Sequence, residues 1–260
     1  MGKALLTGYN ALAYIFLLAP IAIVLVFSFS DGAGFAFPPS GFSLRWFRYL
    51  AGRDEFITAA VVSLQVAALA SIGAVALGTP ASLALARERF RGKGVVEAVL
   101  MGPLVLPGII LGIALLQYFT AIGLTRSFER LVLGHLVVCM PYAIRSISAG
   151  LYGIDPSLEE ASRTLGASHW RTLRRVVLPQ LRPGIAAAFL FSFITSFDNV
   201  VISIYLIGAD TVTLPIRILN YIEWQFDPSI AAISTIVLVV TIGLVSAAEA
   251  LTGVIRKTTM

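Results

Sequence analysis

Long apolar runs, broken at a few places by short clusters of charge, extend along the whole chain. They cover residues 9–29, 56–86, 95–119, 131–150, 184–207 and 230–254. Each reaches the roughly 20 residues a helix needs to cross a bilayer, and backbone amides in lipid are satisfied only inside helices or closed barrels. The pattern predicts an all-α polytopic membrane protein with six transmembrane helices, read as a single permease-sized domain over residues 1–260. The first run follows Lys3, is longer than a signal-peptide core and lacks a closing A-x-A pattern, so an uncleaved span is expected.

The interruptions carry the detail. Gly32, Gly34, Pro38 and Pro39 mark a loop before an aromatic piece whose Trp46 and Tyr49 suit the headgroup region. In the second run Ala67, Ser71, Ala74 and Gly78 recur every three or four residues, a ridge for close helix packing. Gly102, Pro103, Pro107 and Gly108 break the third run, where freed backbone groups must face protein or water. Met140, Pro141 and Tyr142 mark a kink in the fourth run, whose His135 has no partner at ligand spacing and reads as a packed or hydrogen-bonded residue. In the fifth run Ser192, Thr195, Ser196, Asn199 and Ser203 fall mainly on one helical face, with Asp198 at its edge. An ionisable group inside a span points to a solute path, with internal packing, capping of a broken helix or pairing with another subunit as the other readings.

The longest polar interruption is residues 155–183. Asp155 suits an N-cap, Pro156 the first helical position, and Glu159 and Glu160 the positive end of a helix dipole. Gly166 falls where that helix should end, and a second basic helix, from Ser168, is expected to stop at Pro179. A short helix-turn-helix at the membrane surface results, with small residues that admit a close neighbour.

Composition and charge narrow the setting. The 260 residues are 58% hydrophobic and 13% charged, which fits lipid and not water. Most of the 19 lysines and arginines, including Arg87 to Lys93, Arg163 to Arg182, Arg256 and Lys257, fall on the side that holds both termini, which the positive-inside rule makes cytoplasmic. Glu249 reaches the same interface. No basic surface interleaved with aromatics supports nucleic-acid binding. The single Cys139 has no disulfide partner. The chain lacks a GxxxxGK[ST] phosphate loop, a metal cluster and a paired-carboxylate arrangement, so no catalytic residue, metal site or bound cofactor is expected. A subunit of an energised transporter, a self-contained secondary transporter and a membrane scaffold stay open, and the compact inner helix-turn-helix favours the first.

Glu160-Ala161-Ser162, then Gly166, then Val176-x-Leu178-Pro179 resembles the EAA signature of binding-protein-dependent ABC transporter permeases, with serine for the second alanine and valine for isoleucine. The resemblance implies the MetI-like importer permease fold and makes residues 155–183 a coupling region. Glu159, Glu160, Ala161, Ser162, Leu165, Gly166 and Ala167 would then seat in a groove of a separate cytoplasmic ABC ATPase dimer that holds the ATP and Mg. It also implies a second, homologous permease subunit as heterodimer partner, a periplasmic or extracellular solute-binding protein, and a place in the bacterial inner membrane. The segments SFITSFDNVVISIYLIG and TVTLPIRILNYI look most like the spermidine/putrescine branch. That likeness implies a polyamine path with Asp198 opposite an amine and Ser192, Thr195, Ser196, Asn199 and Ser203 offering neutral bonds. Importers of ferric ion, phosphonate, opine or thiamine share the architecture.

Overall fold

A computed structural model describes the backbone of residues 2–252 and, residue 4 and residues 247–252 excepted, the side chains. The Glu249 side chain, the end of the sixth run, and Arg256 and Lys257 lie outside the described residues. Helices α1 (Gly2–Ser28), α2 (Arg45–Ala51), α3 (Asp54–Arg87), α4 (Lys93–Val105), α5 (Gly108–Ala121) and α6 (Ser127–Tyr152) are followed by the short α7 (Pro156–Thr164) and α8 (His169–Thr172). Then come a π-turn (Leu173–Val177), α9 (Leu178–Phe197), α10 (Val200–Leu206), α11 (Leu214–Trp224) and α12 (Ser229–Thr252). Among the described residues five helices are long and apolar enough to cross a membrane, and the pair α4 and α5 makes a sixth candidate, bent by 110°.

That bend has a local cause. Leu106 precedes Pro107, whose ring disfavours helical backbone one residue earlier, and Leu106 is extended at φ −73° and ψ 137°.

Contacts divide the chain into two compact units: residues up to Thr58 with Arg217–Gly243, and Ala59–Ile216 with the chain from Leu244. In the first, Phe56 meets Tyr221 edge to face at 5.4 Å, and Glu55 faces Arg53 at 3.4 Å and Arg217 at 3.8 Å. Trp46, expected in the headgroup region, is buried.

The second unit is built around α6. The ridge Ala67, Ser71, Ala74 and Gly78 is buried, and a methyl group on Gly78 would stand 3.2 Å from the Ala143 Cβ. The Ser82 hydroxyl donates to the Ile144 carbonyl at 3.2 Å. On another face of α6, Gly150 and Gly184 let two backbones touch, since a Cβ on Gly150 would lie 3.2 Å from the Gly184 Cα. Ala143, Ile147, Leu181 and Ala188 fill the seam beside them.

Two expectations about residues 155–207 change. The helix entering the membrane does not stop at Pro179; it runs from His169 to Phe197. Proline lacks an amide proton and crowds the carbonyl four residues back, and the wider π-turn at Leu173–Val177 relieves that crowding just ahead of Pro179. The fifth run, expected as one helix over 184–207, breaks at Asp198 and Asn199. Asn199 is extended at ψ 99° and its side-chain oxygen accepts from the Ile202 amide at 2.9 Å, so a new helix starts there.

Candidate functional site

Caps and side-chain bonds hold the loop over residues 155–172. The Asp155 carboxylate caps α7 by accepting from the Ser157 amide at 2.9 Å, and that bond holds its pKa below the usual 3.8. Gly166 ends the helix with φ +82°, in open space, and the Ala167 amide returns to the Ser162 carbonyl at 3.1 Å. The Ser168 hydroxyl then caps α8 through the Arg171 amide at 3.4 Å. Ser162, the residue that departs from the EAA pattern, meets the Thr172 hydroxyl at 3.0 Å and so fastens α7 to α8.

A second fastening comes from the end of α3. Arg87 Nη2 lies 2.7 Å from Glu159 Oε1, both side chains mostly buried, but off the N–H direction, so the contact is an ion pair and not a directed hydrogen bond. Arg87, Glu159, Thr172, Leu173 and His169 line a cavity of about 570 Å³ between α3, α7 and α8. Glu160, on the rim of the same cavity, is exposed, as are Ala161 and Gly166, and Ser162 and Ala167 are half-buried. Leu158, Leu165 and Trp170 show 43%, 89% and 66% of their surface, an apolar display on an otherwise charged loop.

The polar face of the fifth run divides in two. His135 on α6, 2% exposed, binds Ser196 on α9 through Nδ1 at 2.7 Å and Ser203 on α10 through Nε2 at 3.0 Å. Ser203 gives its only proton to the Asn199 carbonyl, so Nε2–H donates to Ser203 and Nδ1 accepts from the Ser196 hydroxyl. One imidazole thereby joins the two helices on either side of the break. Ser192 and Cys139 exchange bonds, thiol to carbonyl at 3.2 Å and hydroxyl to carbonyl at 3.5 Å.

Ser192, Ser196 and Ser203 are therefore engaged inside the chain, and the Asn199 side chain caps α10. Thr195 is half-buried; Asp198 is exposed at the break and, among the described residues, forms no ion pair. The structure brings Ser196 and Ser203 together with His135 and Ser192 with Cys139. The roles of His135 and Arg87 were not legible in sequence, because their partners lie 61, 68 and 72 residues away with no local pattern to point to them.

Apolar helices of membrane length, a bent pair, and a capped surface helix clamped between two spans define a multi-pass permease architecture. The same fold occurs in a bacterial alginate ABC transporter solved with its alginate pentasaccharide-bound periplasmic protein, with a TM-score of 0.73, 18% identity and coverage of 96% of this chain and 93% of that one. It occurs again in the inward-facing MetNI methionine ABC transporter, at 0.66 and 17%, covering 76% and 94%. Residues 77–256 match the binding-protein-dependent transport system inner membrane component family, and the chain belongs to that family. It is 32% identical over 249 residues to the spermidine/putrescine transport system permease protein PotC of Escherichia coli K12, covering 96% of this chain and 94% of that protein. It is 33% identical over 246 residues to PotC of Haemophilus influenzae, covering 94% and 95%. The putrescine permease PotI of Escherichia coli K12 is 32% identical over 234 residues, covering 87% and 83%.

Proposed function

We propose that the chain is the transmembrane permease subunit of an ATP-driven ABC importer for a polyamine such as spermidine or putrescine. The observation that carries this reading is the clamped α7 loop. A helix fixed to α3 by Arg87 and Glu159, continuous through α8 with a membrane helix, and showing Leu158, Leu165 and Trp170 outward can transmit a push from a docked partner. Glu160, Ala161, Ser162, Leu165, Gly166 and Ala167 form the seat for a cytoplasmic ATPase dimer, which supplies the ATP chemistry with Mg, while Glu159, expected in the same seat, supports it through Arg87. This chain binds no cofactor and is not itself an enzyme. A homologous second permease completes the path, a solute-binding protein delivers the solute from outside, and both termini face the cytoplasm. The names of the relatives support the polyamine class.

Of the polar residues on the fifth run, Asp198 is our candidate to meet a passing ammonium group, a reading supported by its exposure at a helix break. Uptake of labelled spermidine and putrescine by the complex, reconstituted with its binding protein, tests the reading. Asp198→Asn is expected to lower uptake at least several-fold while ATPase association holds. Unchanged uptake at normal membrane abundance removes Asp198 from the path, and transport of phosphonate or ferric ion in preference to polyamines overturns the substrate class.

A further inference from the structure

We propose that the groove between α4 and α6 is a binding site for an anionic phospholipid of the cytoplasmic leaflet. It encloses about 650 Å³, a volume in the range of small-ligand sites, and two kinds of surface meet in it. Lys93 and Arg145 supply positive charge, Glu97 a single negative one, and Met101, Leu104 and Val105 form an apolar wall. The wall is uncovered within this chain: α4 has no buried residue, Val105 is 82% exposed and Leu104 37%.

Neither cation is neutralised. Lys93 donates only to the Glu88 carbonyl, at 3.4 Å, and among the described residues neither Lys93 nor Arg145 enters an ion pair. Their depths also suit a phosphate at the interface. Lys93 opens α4 directly after the basic turn, and Arg145 lies about 10 Å along α6 from its end at Tyr152, within reach of the headgroup level for a long side chain. The net positive lining repels a polyamine, which separates this groove from the solute path. A phosphodiester between two cations with acyl chains along α4 satisfies both surfaces at once, as basic pockets between membrane helices do on the cytoplasmic side. The proposal rests on the topology proposed above.

Native mass spectrometry of the intact complex, purified into micelles with equal phosphatidylglycerol and phosphatidylethanolamine, tests it. Wild type is expected to retain phosphatidylglycerol selectively. Lys93→Gln with Arg145→Gln should weaken retention about 30-fold, which corresponds to about 1 kcal/mol for each basic side chain. Lys93→Arg with Arg145→Lys should keep it, and Val105→Glu should lose it with both cations in place. These two variants keep the test decisive if the double glutamine variant does not assemble. Equal retention of both lipids, full retention by the double glutamine or Val105→Glu variant, or displacement by deacylated glycerophosphoglycerol at matched concentration overturns the proposal. Retention is read without transport, so a failed polyamine assay would refute the functional reading and leave this one standing.

Discussion

Replacing His135 by alanine removes a side chain that joins α9 to α10 across the break at Asp198. Two inter-helix hydrogen bonds are lost, at 2.7 Å to Ser196 and 3.0 Å to Ser203. Such bonds between membrane helices contribute about 0.6 kcal/mol on average and up to about 1.7 kcal/mol each, and the vacated buried volume adds to them, so a total loss of about 2–4 kcal/mol is expected. The loss is unequal at the two ends. Ser203 still donates to the Asn199 carbonyl, whereas Ser196 is left buried with no partner. Ser196→Ala in the His135→Ala background should therefore cost nothing further, although Ser196→Ala alone costs about 1 kcal/mol. Equilibrium unfolding of the purified complex in mixed micelles, run as a double-mutant cycle, measures both numbers. A His135→Ala loss below about 0.5 kcal/mol, or strictly additive effects of the two substitutions, would refute the bridging role.

Gly166 sits at φ +82° with no atom near its missing side chain, so Gly166→Ala should weaken ATPase co-purification by backbone strain of about 1 kcal/mol, and Gly166→Asn by less; equal effects would deny the role of the left-handed turn. A cycle of Arg87→Gln and Glu159→Gln, scored by the same co-purification, should give a coupling near 1 kcal/mol, and a value of zero would leave α7 unlinked to α3. The Asp155 carboxyl has its pKa depressed by the Ser157 amide, so its cap is fully present above about pH 3.8 and is lost as pH falls through the lower folded value. The protection factor of the Ser157 amide, its exchange measured relative to the intrinsic rate at each pH, should accordingly be the same at pH 5 and pH 7, and a change between them would contradict the cap.

Much of the surface loop was legible because its signals are local. Asp155, Pro156, Gly166 and Ser168 act within three or four residues of their own positions, and the structure uses each as the capping rules require. The helix running on through Pro179 was not legible, since a π-turn several residues earlier accommodates the ring and has no composition of its own. The polar face of the fifth run was visible as a periodicity, but periodicity does not say what it faces. Three of its serines face α6, with the Ser196 and Ser203 hydroxyls on His135 and Ser192 exchanging bonds with Cys139.

By itself the sequence determined the membrane setting, the helical class and the place of the surface loop, because lipid demands long apolar runs and caps act over one turn. Tertiary structure alone decided the partners of Arg87 and His135 and the exposure of Asp198. Those depend on which helix faces meet, and contacts across 60 residues or more leave no pattern along the chain.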